Sequence, residues 1–117
     1  MSSDLKIDSA RSQSSGTIGR AVNSAHGATV AFDSSSRPQP DALTNSEAFL
    51  AAVSSCGVTL IEMHAKETGV PLARMAVTID GSRDPAVPRY QSVHMRFEMA
   101  GVSQAQAEDL VKTYRSR

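Results

Sequence analysis

Between Leu43 and Leu72 the chain reads "LTNSEAFLAAVSSCGVTLIEMHAKETGVPL", and its apolar residues recur at helical intervals. Phe49, Val53, Cys56, Leu60 and Met63 are spaced by four and three and predict one apolar face, with Leu50, Gly57 and Ile61 running beside it. Thr44 and Glu47 stand three apart at its start, the spacing of a capping box in which each side chain satisfies an orphan backbone amide. Gly69 suits the left-handed position just past the helix, and Pro71 blocks its resumption. Polar residues gather only towards the end, at Glu62, His64, Lys66 and Glu67, so the pattern predicts a central helix buried on a wide arc.

On either side the period changes from helical to alternating. "TIGRAV" and "ATVAF" are candidate strands, with "NSAHG" as the turn between them and Gly27 supplying a positive φ. "DSSSRPQPD" follows as a loop, since its two prolines exclude regular structure. After the helix, "LARMAVTIDG" sets Met75, Val77 and Ile79 against Ala76, Thr78 and Asp80. "SRDPAVPR" is a loop, and "YQSVHMRFEM" then directs Val93, Met95, Phe97 and Met99 inward. A second capping box, Ser103 to Gln106, opens a helix with Ala107, Leu110, Val111 and Tyr114 on one face. Strands grouped before and after a helix predict an α+β fold. Residues 1–16 are Ser-rich and read as a flexible arm, with a short edge strand around Leu5 and Ile7; residues 17–117 read as one domain.

Composition narrows the function classes. Twelve basic and twelve acidic residues cancel, which argues against a nucleic-acid-binding surface and leaves little to attract an anionic membrane. No unbroken apolar run of membrane-spanning length is present, and the first residues lack the apolar stretch of a secretory signal. One cysteine excludes a disulfide framework within the chain, and a cytoplasmic location is the simplest expectation. His26, His64 and His94 are scattered without metal-ligand spacing, and no cofactor or metal is expected.

That cysteine, Cys56, admits two readings. A single cysteine on an apolar helix face is commonly a small buried hydrophobe. Its small neighbours Ala52, Ser54, Ser55 and Gly57 also leave room for a close partner or a substrate. It lies about three turns into the helix, beyond reach of the N-terminal dipole, so a reactive thiolate there needs a nearby cation.

The stretches "GTIGRAVNSAHGATVAFDS", "LTNSEAFLAAVSSCGVTLIEMHAKETGVPL", "VTIDG" and "FEMAGVSQAQAEDLVKTYRSR" together resemble the OsmC/Ohr family, the osmotically inducible and organic hydroperoxide resistance proteins. The resemblance runs from about Gly16 to Arg117 and implies an OsmC-like fold, a long central helix packed on curved antiparallel sheet in an intertwined homodimer. It implies a cysteine-based peroxidase for organic hydroperoxides or hydrogen peroxide, active in oxidative-stress defence. Cys56 matches the peroxidatic cysteine, and an arginine on an N-terminal strand supports the thiolate. Arg20 is the nearest candidate, although the family pattern puts its functional arginine at Thr17; Arg37, in the loop before the helix, is the runner-up. Glu47 matches the acidic residue that orients the arginine, while its capping role explains it without chemistry. Nine helical residues place Glu47 and Cys56 on opposite sides of an ideal helix, about 13 Å apart along the axis, so any influence on the thiol is indirect or across a dimer. Phe49 and Val53 are candidate pocket residues for the apolar part of a peroxide.

One departure stands out. The family's resolving cysteine follows the last helix, and this chain contains no second cysteine. The final "KTYRSR" carries no stop signal, so C-terminal strands are expected to be absent from this chain. The implied reductant is a dithiol, either a lipoylated protein or a thioredoxin-like protein. The missing cysteine also leaves an alternative of another class: a catalytically silent dimeric module that binds an apolar small molecule.

Overall fold

In the computed structural model, which describes residues 5–87 and 89–115, the expected α+β order is present. Strands β1 (Arg11–Ser14), β2 (Arg20–Ala25), β3 (Ala28–Asp33) and β4 (Leu43–Thr44) precede helix α1 (Asn45–Thr68). Strands β5 (Arg74–Ser82) and β6 (Ser92–Ala100) and helix α2 (Gln104–Arg115) follow. Contacts divide the chain into two compact units, Met1–Ala48 and Phe49–Arg117.

The first unit is a four-stranded sheet in the order β1-β2-β3-β4, antiparallel except for the short parallel pair β3/β4. Its central hairpin turns on two residues only. Ala25 pairs with Ala28, and His26 and Gly27 both adopt positive φ, 54° and 81°, as a type I′ turn requires. The turn is therefore shorter than the expected "NSAHG", because Asn23 to Ala25 remain in the ladder. Strand β2 also begins three residues later than "TIGRAV" suggests. Gly16 and Gly19 take positive φ and bend the chain there, leaving Ile18 exposed. The edge strand expected around Leu5 and Ile7 lies instead at Arg11–Ser14; both apolar residues are exposed and unpaired with the sheet. Residues 1–4 of the expected arm lie outside the described residues.

The second unit holds most of α1, the β5/β6 ribbon and α2. The ribbon register pairs Met75 with Met99, Val77 with Phe97 and Ile79 with Met95, all partly buried on one face. Ala76, Thr78 and Asp80 face out opposite Glu98, Arg96 and His94. Val93, expected inward, is 45% exposed because it lies near the open end of the ribbon. Ile61, Ala65 and Leu110 form the fully buried centre, with Val70, Leu72, Met75, Phe97, Met99 and Tyr114 packed against it.

Helix α1 ends as expected: Gly69 takes φ 73°, the Val70 amide donates to the Ala65 carbonyl at 2.9 Å, and the Gly69 amide donates to Lys66 at 3.4 Å. These two bonds form a Schellman motif. The buried arc of α1 differs from the expected one. Gly57, Ile61 and Ala65 face the core, whereas Phe49, Cys56 and Met63 lie on an exposed stripe. The apolar arc is wider than the surface that β5, β6 and α2 cover, so only one side of it is buried within the chain. By length and composition α1 also qualifies as a membrane-crossing helix, against the expectation from its broken apolar run. Serines, threonine and glycine interrupt the run without lowering its average hydropathy below that of a core helix. Packing of Ile61 and Ala65 against Leu110 buries one side of α1, while most of its apolar window stays exposed.

Candidate active site

Cys56 projects from the exposed stripe of α1, and its thiol carries no disulfide. Tyr114 of α2 holds the backbone on both sides of it. The Tyr114 hydroxyl donates to the Val53 carbonyl at 3.3 Å and to Met95 Sδ at 3.9 Å, and its ring meets Phe97 edge-on at 5.9 Å. A methyl group on Gly57 would stand 3.4 Å from Tyr114 Cζ, so the glycine lets the ring lie against the helix beside Cys56. Val53 is half-buried by this arrangement, while Ala52 and Cys56 are exposed.

Phe49 lies two turns before Cys56, on the same side of the helix within about 20° and about 10 Å away along the axis. Its ring stacks on Tyr90, with centroids 6.4 Å apart and planes at 21°. Tyr90 in turn lies on Gly81, where a Cβ would come within 2.5 Å of its ring. Nothing in the sequence pattern singles out Tyr90. A glycine inside an alternating strand is the one available signal, since it marks a close approach by another group.

In the first unit Arg20 is held by two carboxylates. Its Nε donates to Asp33 Oδ1 at 2.7 Å and its Nη2 to Asp33 Oδ2 at 3.1 Å. Nη2 also donates to Asp41 Oδ1 at 2.6 Å, and Nη1 to Asp41 Oδ2 at 3.1 Å. Asp33 is 1% exposed and accepts a further bond from the Gln39 amide at 3.0 Å. Hydrogen bonding by Arg20 holds both carboxyls below their ordinary range and raises the guanidinium above its own. The clasp ties β2, the end of β3 and the loop before β4 together. Arg37 sits within that loop, its stem packed over Gly19, where a Cβ would come within 2.9 Å of Arg37 Cδ. Among the described residues its guanidinium has no ion pair, in contrast to that of Arg20.

Glu47 forms the expected capping box: its Oε1 accepts the Thr44 amide at 2.9 Å, and Thr44 Oγ1 accepts the Glu47 amide at 3.2 Å. Phe49, Val53 and Cys56 therefore share one helix of the second unit, whereas Arg20, Arg37 and Glu47 belong to the first. No cluster of three metal-binding side chains occurs among the described residues. An open hollow of about 520 Å³ beside β6 and α2 is lined by Phe97, Met99, Val102 and Val111, and by none of the candidate site residues.

The family model described as OsmC-like protein matches residues 38–117. No curated protein matches the chain. Among solved structures, an OsmC-like protein from Mycoplasma pneumoniae aligns with TM-score 0.84 at 12% identity, covering 96% of this chain and 82% of that one. A Legionella pneumophila protein described as an organic hydroperoxide resistance protein and predicted redox protein aligns with TM-score 0.70 at 17% identity, covering 97% and 85%. An organic hydroperoxide resistance protein from Bacillus subtilis aligns with TM-score 0.62 at 15% identity, covering 97% and 86%. At these identities the likeness is one of fold.

Proposed function

The chain belongs to the OsmC-like protein family, and from that premise we propose that it is a thiol-dependent peroxidase reducing organic hydroperoxides through Cys56. The observation that carries this reading is the position of Cys56: an exposed thiol on an apolar helix stripe, with Phe49 and Val53 before it and Tyr114 holding the backbone around it. Two fold neighbours named as organic hydroperoxide resistance proteins support the same chemistry.

In the proposed reaction the Cys56 thiolate attacks the terminal oxygen of ROOH. The S–O bond forms as the O–O bond breaks, and the departing alkoxide takes a proton to leave as ROH. Sulfur is oxidised to sulfenic acid as the peroxide is reduced. One thiol of a dithiol reductant then displaces water from the sulfenic sulfur, and its second thiol releases Cys56. A lipoylated or thioredoxin-like protein fits this role. The reaction needs a cation for thiolate and leaving oxygen. Arg20 is the candidate the sequence gives and Arg37 the runner-up; two carboxylates already pair with the Arg20 guanidinium. Glu47 is the candidate to orient it, and the exposed α1 stripe supports assembly as a homodimer.

The Cys56→Ser variant is expected to consume no cumene hydroperoxide in a single-turnover assay, whereas the reduced wild-type chain consumes one equivalent. Equal consumption by both proteins would exclude the mechanism. The single cysteine favours a second reading, a dimeric module binding an apolar small molecule. A wild-type thiol that stays unlabelled by a sulfenic-acid probe after peroxide treatment selects that reading.

A further inference from the structure

We propose that Tyr90, seated on Gly81 and stacked on Phe49, is the specificity-determining residue of this site and selects hydroperoxides that carry an aryl group. The inference rests on Cys56 being the peroxidatic thiol. Phe49 remains 60% exposed despite its stack on Tyr90, so aromatic surface is left for another ring. Between Phe49 and the thiol the stripe drops to the small side chain of Ala52, with Val53 beside it. The interval of about 10 Å along the helix takes a phenyl ring against the aromatic pair, one branched carbon over Ala52, and the peroxide at Sγ.

Aromatic rings in offset or edge contact gain more than their buried area alone supplies, and a small alkyl group gains only the area. Hydrogen peroxide gains neither. The wall stands where it does because β5 carries glycine at position 81. Any side chain there would push the Tyr90 ring away, and Phe49 would lose its partner. Tyr90 thus acts on substrate choice, while bond making belongs to Cys56.

The test compares single-turnover rate constants of the reduced full-length chain with cumene hydroperoxide, tert-butyl hydroperoxide and hydrogen peroxide. Tyr90→Ala and Gly81→Ala are expected to lower the ratio of cumene hydroperoxide to tert-butyl hydroperoxide rate constants by about fivefold, the scale of one aromatic pair. Tyr90→Phe, which keeps the ring, is expected to hold the ratio. A ratio unmoved by Tyr90→Ala overturns the proposal, even if Gly81→Ala fails to fold. A second measurement separates this inference from the peroxidase reading. In Cys56→Ser, titration with the product 2-phenyl-2-propanol is followed by aromatic NMR shifts. Shifts at Phe49 and Tyr90 that spare Phe97 and Tyr114 support the aryl wall, even if the wild type consumes no peroxide. Absence of those shifts overturns it, whatever the turnover.

Discussion

Asp33 shows how much one residue can organise here. It is almost fully buried at the end of β3, yet it is ionised, because Arg20 and the Gln39 amide together satisfy its oxygens. The buried carboxylate fixes the loop on which Arg37 stands. Arg20 holds Asp33 and Asp41 below the ordinary carboxylate value of about 3.9, so between that value and the lowered ones the unfolded chain binds more protons than the folded chain. The stabilisation is complete above about pH 5 and is lost as the pH falls through the lowered values. Thermal unfolding between pH 7 and pH 3 checks this. Asp33→Asn is expected to melt lower than wild type at pH 7 and to show a flatter acid limb. An acid limb of unchanged slope would remove Asp33 as its source. The Arg20–Asp33 pair was hidden in the sequence by the hairpin turn. A five-residue turn over 23–27 places Arg20 opposite Val30, whereas the two-residue turn at His26 and Gly27 places it opposite Asp33.

At the scale of elements, the helix ends were legible because their bonds join residues three to five apart. Thr44 with Glu47, Ser103 with Gln106, and Ala65 with Val70 all make the contacts their spacing implies. Thr44→Ala is expected to destabilise the protein by about 1 kcal/mol in chemical denaturation, the usual worth of an N-cap hydroxyl. Glu47 offers a sharper separation of cap from chemistry. Glutamine retains the side-chain oxygen that accepts the Thr44 amide but loses the charge. Glu47→Gln is therefore expected to keep wild-type stability while slowing peroxide consumption. Loss of stability with unchanged turnover would instead return Glu47 to a purely structural role. The strands β5 and β6 were equally readable, since a two-residue period assigns faces without knowledge of what covers them. Only Val93, near the open end of the ribbon, escapes that rule.

For the whole molecule the exposed stripe of α1 is the dominant feature. Phe49 is 60% and Met63 58% exposed, on a helix whose opposite side holds the buried Ile61 and Ala65. Apolar surface of this kind gains by leaving water, and a second copy of the chain is the cover proposed at the Met63 end, with the Phe49 ring left to the substrate. Met63→Glu places a charge in that contact and is expected to weaken self-association about thirtyfold or more, the scale of a single hot-spot residue. Sedimentation equilibrium reads this directly. A wild-type chain that sediments as a monomer at high concentration would remove the dimer from the proposed function.

What the sequence determined by itself is the part governed by near neighbours: both capping boxes, the glycine stop after α1, the positive φ at Gly27, and the alternating faces of β5 and β6. It also supplied the family resemblance, carried chiefly by the α1 stretch. Tertiary structure alone decided which arc of α1 is buried, which carboxylates claim Arg20, and where Tyr90 rests. The physical reason is separation along the chain. Tyr114 reaches the Val53 carbonyl across 61 residues and Arg20 reaches Asp41 across 21, and no local period encodes such a meeting. Tyr114 and the core beneath it cover one side of α1, and Cys56 lies on the other, exposed.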